Sequence, residues 1–231
     1  MAKRNSKRRG TCAICGYVGD VTRDHIPPKA LFDTPRPNDL LTVPACRKCN
    51  GGASGDDEYF RNTICMSTYR GESRHGVAGG NAAIRSIRRS TRHRRAFAQS
   101  SRRVPIFSAD GRLERMGLGF DVDAQRIDAV VSRVVRGIFY VETKRILPKH
   151  WDVSVDTPES FDNCDAETQE LMMRNVLLPL KNVEERTFAE GLFRYKFANP
   201  GEDSFVSVCW LVFYNTLPMV CLTGCPENAE Q

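Results

Sequence analysis

The sequence of 231 residues lacks any apolar stretch long enough to cross a membrane. Its longest apolar run, FVSVCWLVFY at 205–214, falls well short of the roughly 20 residues that a transmembrane helix needs, and it is more typical of a buried strand. The first ten residues, MAKRNSKRRG, are basic and polar with no apolar segment behind them, which argues against a secretory signal peptide. These absences predict a cytoplasmic protein with no membrane partner.

Internal repeats and long low-complexity tracts are also missing, which argues against a solenoid or an extended disordered chain. Hydrophobic residues make up 41% and charged residues 27% of the chain, an ordinary composition for a globular protein with a real core. The length suits one sizeable domain, or a small module followed by a larger body.

Cysteine is abundant, but its count of nine is odd, which excludes a fully paired disulfide framework. Four cysteines form two Cys-x-x-Cys pairs: Cys12, Cys15, Cys46 and Cys49. Each pair matches the bite of a tetrahedral Zn²⁺, and two pairs complete a site with no open position for water. The spacing therefore predicts a structural zinc site. The alternative is that the two Cys-x-x-Cys pairs are redox motifs or occur by chance.

The gap between the two pairs contains Asp24-His25, followed at once by Pro27 and Pro28. A carboxylate is a suitable ligand for Mg²⁺, and a neutral histidine is a suitable general base near neutral pH. The structural alternative is that Asp24 caps a turn and His25 packs on the prolines. Asn50 directly follows Cys49, so a zinc ion that holds Cys49 would also fix Asn50 relative to the Asp24-His25 strand.

The region 12–60 resembles the HNH nucleases, a branch of the ββα-metal endonucleases, in the form stapled by a four-cysteine zinc site. The matching stretches are CAIC, DHIPPK and CRKCN. The resemblance implies that Asp24 and Asn50 are ligands of a catalytic divalent metal, Mg²⁺ or Mn²⁺, or close supports of it, and that His25 is the general base. It implies one-metal hydrolysis of phosphodiester bonds in nucleic acid, with DNA the expected substrate.

The sequence departs from that family in one place. Many members carry another histidine or asparagine about a turn further along the final helix, where this chain has Ser54. Asp56, Asp57 or Glu58 could substitute as an oxygen ligand. The favoured interpretation is that they are first-turn acids stabilised by the helix dipole.

Basic residues are concentrated in the first half of the chain. Residues 1–115 contain 23 basic and 10 acidic residues, and residues 116–231 contain 11 and 18. Eight arginines lie between 85 and 103 without one acidic residue, and five of them would line one helix face: Arg85, Arg88, Arg89, Arg92 and Arg95. This face predicts nucleic-acid binding, although a solvated face or a partner for the acidic half would also explain it.

The sequence as a whole predicts an α+β fold in four segments. These are a basic flexible arm (1–10), a zinc-stapled HNH module (11–70), a Gly-rich linker with an Arg-rich helix (71–103), and an α+β domain with an antiparallel sheet (104–231). A long helix is expected at 124–146, and strands are expected at 188–198, 205–214 and 218–224. Two other functions fit: a zinc ribbon that binds nucleic acid without cutting it, and a zinc-stapled protein-interaction domain. The combination of Asp24, His25 and Asn50 argues against binding alone.

Overall fold

The structure is a computed structural model that describes residues 8–67, 85–86, 88–89, 91–108, 110–162 and 164–225. Within these residues the strands form three antiparallel sheets. The first has the order β1-β2-β3, the second pairs β4 with β5, and the third has the order β6-β10-β9-β8-β7. Helices and antiparallel sheets occur in one chain, so the expectation of an α+β fold class is confirmed.

The strands have the following bounds: β1 (Arg8–Thr11), β2 (Val18–Ile26), β3 (Leu41–Cys46), β4 (Arg102–Phe107), β5 (Leu113–Gly119), β6 (Asp152–Asp156), β7 (Arg186–Phe188), β8 (Phe193–Ala198), β9 (Ser207–Phe213) and β10 (Leu217–Gly224). The helices are α1 (Arg47–Gly51), α2 (Ser54–Ser67), α3 (Thr91–Ser100), α4 (Ala124–Thr143), α5 (Pro158–Asp162), α6 (Ala166–Met172) and α7 (Leu178–Leu180). A π-helical turn, Met173–Leu177, joins α6 to α7.

The chain divides into two compact units, one comprising 1–60 and 126–231 and the other comprising 61–125. The first unit contains the cysteine pairs, the β1-β2-β3 sheet, α4 and the five-stranded sheet. The second contains α3 and the β4–β5 ribbon. The predicted segment limits at 70 and 103 concern functional modules, whose boundaries need not coincide with those of the compact units. These limits therefore remain a prediction.

Helix α4 supplies much of the core of the first unit. Its apolar residues recur at helical spacing and its buried face is mostly valine, isoleucine and phenylalanine. Phe139 of α4 packs against Phe197 of β8, with ring centroids 6.0 Å apart. Phe213 of β9 contacts Phe60 of α2, with ring centroids 5.1 Å apart. The core therefore joins the C-terminal sheet to the segment that follows the second cysteine pair.

Helix α4 also approaches strand β2 closely. A Cβ atom added at Gly137 would lie 2.6 Å from the side chain of Ile26, which is fully buried. Only a glycine at this position lets the helix come so near to the strand. Ile26 directly follows His25, so this contact positions the end of the strand that carries the candidate site.

Several predicted elements are present and others differ at their ends. The predicted strands at 205–214 and 218–224 correspond to β9 and β10. The strand predicted at 188–198 is interrupted, because Phe188 ends β7, a 3-10 turn with positive φ at Ala189 and Glu190 follows, and β8 begins only at Phe193. The helix expected at 124–146 ends at Thr143, and the next residue, Lys144, adopts a left-handed φ of 59°. Arg102 and Arg103, expected at the end of the arginine-rich helix, begin β4 instead. Residues 8–10 of the predicted arm belong to β1, while residues 1–7 and the predicted linker at 71–80 lie outside the described residues.

Among the described helices, none is long and apolar enough to cross a membrane.

Candidate functional site

Four cysteines come together at one end of the three-stranded sheet, as their spacing predicts. The Sγ atoms of Cys12, Cys15, Cys46 and Cys49 all lie within 4.8 Å of one another. The Sγ atoms of Cys15 and Cys46 are 3.8 Å apart. This equals the separation of about 3.8 Å that a tetrahedral ion with Zn–S bonds of ~2.3 Å requires. The cluster can therefore hold a structural zinc ion.

Local backbone contacts bring the first cysteine pair to the second. The Cys12–Gly16 turn is closed by a hydrogen bond from the Gly16 N–H to the Cys12 carbonyl (2.9 Å), and Gly16 has a φ of 75° that favours glycine. The N–H of Ala13 donates to the carbonyl of Pro44 at 2.8 Å, two residues before Cys46. The first turn is thus fastened to β3 immediately before the second pair.

Hydrogen bonds within the cluster favour the thiolate form of one of its cysteines, Cys12. The pKa of Cys12 is lowered to about 4, first by a hydrogen bond from the thiol of Cys49 and then by backbone N–H groups, including that of Cys46, despite an opposing effect of burial. Zinc binds the thiolate rather than the thiol. In turn, burial raises the pKa of Cys15, and the hydrogen bond to Cys12 raises that of Cys49, so the cluster without an ion favours a single thiolate, at Cys12.

Asp24 lies on β2 directly opposite Val43 of β3 and is only 8% exposed. Its Oδ1 atom accepts a hydrogen bond from the backbone N–H of His25 at 2.8 Å, whereas its buried Oδ2 atom accepts none from the described residues. Burial raises the pKa of Asp24 to about 6, although the charge of Arg133 opposes this rise. A buried carboxylate oxygen without a partner is costly, and a bound cation would offset that cost.

His25 is only partly buried and lies opposite Thr42. Burial, together with the nearby charges of Lys29, Arg23 and Arg36, lowers the pKa of His25 to about 4. The imidazole is therefore neutral at physiological pH, with one ring nitrogen able to accept a proton.

Asn50 links the cysteine cluster to the strand that carries Asp24 and His25. Its Nδ2 atom donates to Thr22 Oγ1 at 3.0 Å and to the carbonyl of Arg23 at 3.2 Å. Asn50 lies within α1, which begins at Arg47. The amide nitrogen acts as a support, and only the amide oxygen could ligate a metal.

Asp56 and Asp57 lie in the first turn of α2, where the helix dipole favours acids. Both are paired with arginines of α4. Arg126 Nε lies 2.7 Å from Asp56 Oδ1, and Arg133 donates to Asp57 in a pair whose side chains are only 7% and 10% exposed. Burial raises the pKa of Asp57 although Arg133 opposes the shift. These pairings favour structural roles for both acids over the role of an extra ligand.

The predicted arginine face lies in the unit 61–125. Arg85, Arg88, Arg89 and Arg95 are exposed, with helical backbone at 85–86, 88–89 and along α3. The side chain of Arg92 lies outside the described residues. Exposure leaves these four cations accessible to a ligand.

A cleft of about 710 Å³ opens beside the cysteine cluster, lined in part by Thr22, Arg47, Lys48 and Asn50. Asp24 and His25 are not among its lining residues. The cleft therefore neighbours the Asp24-His25 pair without containing it.

Sequence reasoning missed two groups of residues around the site. One is the set of cations close to His25, of which only Lys29 had a sequence signal, since it ends the stretch DHIPPK. The other is the pair of α4 arginines, Arg126 and Arg133, which are about 70 residues or more from their partners in sequence. No local pattern could have paired them.

Comparisons with protein-family models, with curated proteins and with solved structures found no match for this chain.

Proposed function

We propose that this protein is a metal-dependent endonuclease of the HNH type that hydrolyses phosphodiester bonds in nucleic acid, with DNA the expected substrate. The proposal depends on one observation: a neutral, partly exposed His25 is next, on the same strand, to Asp24, whose buried Oδ2 has no hydrogen-bond partner among the described residues. Asn50 fastens that strand to the helix of the cysteine cluster. A protein that only binds nucleic acid needs no such combination.

The donor set around Asp24 fits a catalytic divalent cation. Asp24 would hold Mg²⁺ or Mn²⁺ through Oδ2, with the oxygen of Asn50 as a further ligand, since both are the hard oxygen donors that these ions prefer. When bound, the ion supplies charge stabilisation to the scissile phosphate and to the leaving oxygen. The zinc in the cysteine cluster has a structural role only, because all four of its positions are protein sulfurs.

His25 is the general base. A water oxygen attacks the phosphorus atom while its proton moves to the unprotonated ring nitrogen of His25. The bond from phosphorus to the leaving oxygen then breaks, that oxygen takes up a proton from water, and His25 releases its extra proton to the solvent. The depressed pKa of His25 keeps the ring unprotonated over the whole neutral range.

Cations near His25 support a phosphate substrate. Arg23 and Arg36 are exposed and Lys29 is partly exposed. Their charges act on His25, so they would act equally on a phosphate held there. Arginine can also bind phosphate through two parallel hydrogen bonds.

The test is plasmid cleavage with Mg²⁺ or Mn²⁺, comparing wild type with His25→Ala. The matched control is His150→Ala, because His150 is an exposed histidine outside the site. Zinc content and circular dichroism establish that each variant is folded. We expect metal-dependent cleavage by the wild type and His150→Ala, and a loss of at least about 100-fold in His25→Ala, typical of a removed general base.

Equal cleavage by His25→Ala and wild type would refute the role of His25. Salt-sensitive DNA binding with no cleavage by any of the proteins, on DNA or RNA, would instead establish the noncatalytic zinc ribbon. Absence of both binding and cleavage would favour a protein-interaction domain.

A further inference from the structure

The ribbon formed by β4 and β5 exposes an apolar face that the proposed catalytic site does not use. Directly paired residues of an antiparallel ribbon share a face. Three such pairs lie on this face: Arg103 with Leu118, Pro105 with Met116, and Phe107 with Leu113 across a bulge. Phe107, Leu113, Met116 and Leu118 are 51–59% exposed. Together with Pro105 they are called the apolar stripe.

The opposite face of the ribbon is closed by its own side chains. A Cβ at Gly117 would lie 2.6 Å from Ile106 Cδ1, and one at Gly119 would lie 2.9 Å from Val104 Cγ1. Val104 and Ile106 therefore cover the two glycines and are partly buried. The asymmetry leaves the apolar stripe as the open face of the ribbon, and a contiguous exposed apolar patch marks an interaction surface.

The unit that contains the ribbon holds all of the net positive charge of the chain. Residues 61–125 include 13 basic and 5 acidic residues, a net charge of +8, and the remaining residues include 21 and 23, a net charge of −2. Helix α3 belongs to the same unit, and its Phe97 contacts Phe120 at the end of the ribbon, with ring centroids 5.7 Å apart. A polyanion is therefore the partner that this unit attracts.

Two cations on the ribbon are available to such a partner. Arg103 lies on the face of the apolar stripe and Arg115 on the opposite face; both are exposed, and neither forms an ion pair with a described residue. In contrast, Arg102 and Arg112 are paired with exposed acids. The ribbon thus combines apolar side chains with two exposed arginines that form no ion pair within the part of the chain that the structure describes.

We propose that the β4–β5 ribbon enters a groove of duplex DNA, with the apolar stripe against the bases and Arg103 and Arg115 on the flanking phosphates. The major groove, about 12 Å wide, admits a two-stranded ribbon. Apolar side chains contact thymine methyl groups there, and residues such as Phe, Leu, Met and Pro are also the wedges that open base steps in the minor groove. The inference rests on the proposed nucleic-acid substrate but not on cleavage.

The experiment measures binding of a fluorescent DNA duplex over a range of salt concentrations, with His25→Ala as the background so that no DNA is cut. The test variant is Arg103→Ala/Met116→Ala. The matched control is Met173→Ala/Arg174→Ala, because Met173 is 51% exposed, as Met116 is, and Arg174 is an exposed neighbour in the other unit. All four side chains are exposed, so both variants are expected to fold, as zinc content and circular dichroism will verify.

We expect the test variant to lose about tenfold in affinity at moderate salt, and the control to stay within about twofold. The slope of log K against log salt should fall by about 1 in Arg103→Ala alone, because one phosphate contact is lost. Met116→Ala alone should weaken binding with the slope unchanged. These two signatures separate the phosphate contact from the apolar contact.

Unchanged affinity in the test variant, or equal losses in test and control, would overturn the inference. A test variant that binds DNA normally but changes from dimer to monomer by light scattering would assign the apolar stripe to a second copy of the chain. If the wild type cuts DNA and the test variant binds normally, the ribbon inference fails alone. If the duplex binds through the ribbon but is never cut, the proposed catalytic function fails alone.

Discussion

Asp24 is held where the fold opposes its negative charge. Its side chain is nearly buried, one oxygen has no hydrogen-bond donor among the described residues, and Arg133 compensates only in part. A surface carboxylate would avoid this cost. A buried, strongly perturbed acid is typical of functional sites, because proteins keep such groups where a ligand stabilises them.

The raised pKa of Asp24 makes a prediction about stability and pH. In the folded state Asp24 has a pKa of about 6, above its ordinary value, so between about pH 4 and pH 6 the folded state binds more protons than the unfolded state. The contribution of Asp24 to the free energy of unfolding is therefore greatest below about pH 4. As pH rises from about 4 to about 6, this contribution falls by about 3 kcal/mol. Denaturant unfolding of wild type and Asp24→Asn across this range measures the difference.

We expect the advantage of Asp24→Asn over wild type to grow from pH 4 to pH 7. Added Mg²⁺ should reduce that growth, since a cation favours the ionised carboxylate. A difference between the two proteins that does not change with pH would show that Asp24 titrates normally.

The two ion pairs between α2 and α4 predict different costs. Removing Arg133 by Arg133→Gln leaves Asp57 buried and unpaired, and we expect a loss of about 3–5 kcal/mol in the free energy of unfolding. Arg126→Gln breaks a pair that is 36% and 39% exposed and also removes a contact with the Tyr59 ring at 4.3 Å. We expect a loss of about 1 kcal/mol there.

The double variant Asp57→Asn/Arg133→Gln should recover part of the loss, because the carboxylate of Asp57 is no longer buried without its partner. Equal costs for Arg126→Gln and Arg133→Gln would contradict the assigned burial. Urea unfolding of all four proteins, with zinc retained, makes the comparison.

At the scale of elements, α4 and β2 are joined by the contact between Gly137 and Ile26. Gly137→Ala would ordinarily stabilise a helix by about 1 kcal/mol. Here the new methyl group overlaps a fully buried side chain, and we expect a net destabilisation of about 1–3 kcal/mol. Thermal and urea unfolding measure this change.

The control for helix propensity is Gly51→Ala in α1, where an added Cβ has nothing within 4 Å. Ile26→Ala should partly relieve the overlap. The double variant Ile26→Ala/Gly137→Ala should therefore lose less free energy of unfolding than the sum of the losses in the two single variants. Additive costs would mean that the helix and strand do not meet at this point.

For the whole molecule, the cysteine cluster joins segments more than 30 residues apart in the sequence. A structural zinc ion contributes its binding energy to folding, so its removal by a chelator should lower the free energy of unfolding by on the order of 5 kcal/mol. Cys12→Ser should have a similar effect. Cys225→Ser is the matched control, because Cys225 is exposed and outside the cluster. Unchanged melting after verified zinc loss would exclude a structural role.

Charge is distributed unevenly across the molecule. The division at 115 that sequence composition indicates is close to the end of the basic unit at 125, but the first sixty residues belong to the other unit. The basic charge is therefore concentrated in the unit 61–125, with a net charge of +8, whereas residues 1–60 have a net charge of only +3. Local composition could not reveal this, because chain folding decides which segments share a unit.

Much of the candidate site was predictable because its signals are local. The Cys-x-x-Cys spacing determined that Cys12, Cys15, Cys46 and Cys49 could meet, since each pair already has the bite of one metal ion. Alternating and helical hydrophobic periods determined β9, β10 and α4 in type and approximate extent, whereas the strand predicted at 188–198 is broken by the turn at Ala189–Gly191. The end of α4 and the start of β4 differ from their predicted positions, because the boundaries of elements depend on weak local preferences.

Only the tertiary structure decided the environment of the catalytic candidates. The burial of Asp24, the pairing of Arg133 with Asp57 and the approach of Gly137 to Ile26 all depend on packing between distant segments. Desolvation and charge at close range set a pKa, and both depend on neighbours that sequence position does not reveal. The sequence by itself indicated which residues are candidates for the proposed chemistry, and the fold determined the burial, the charged neighbours and the hydrogen bonds that each of them has.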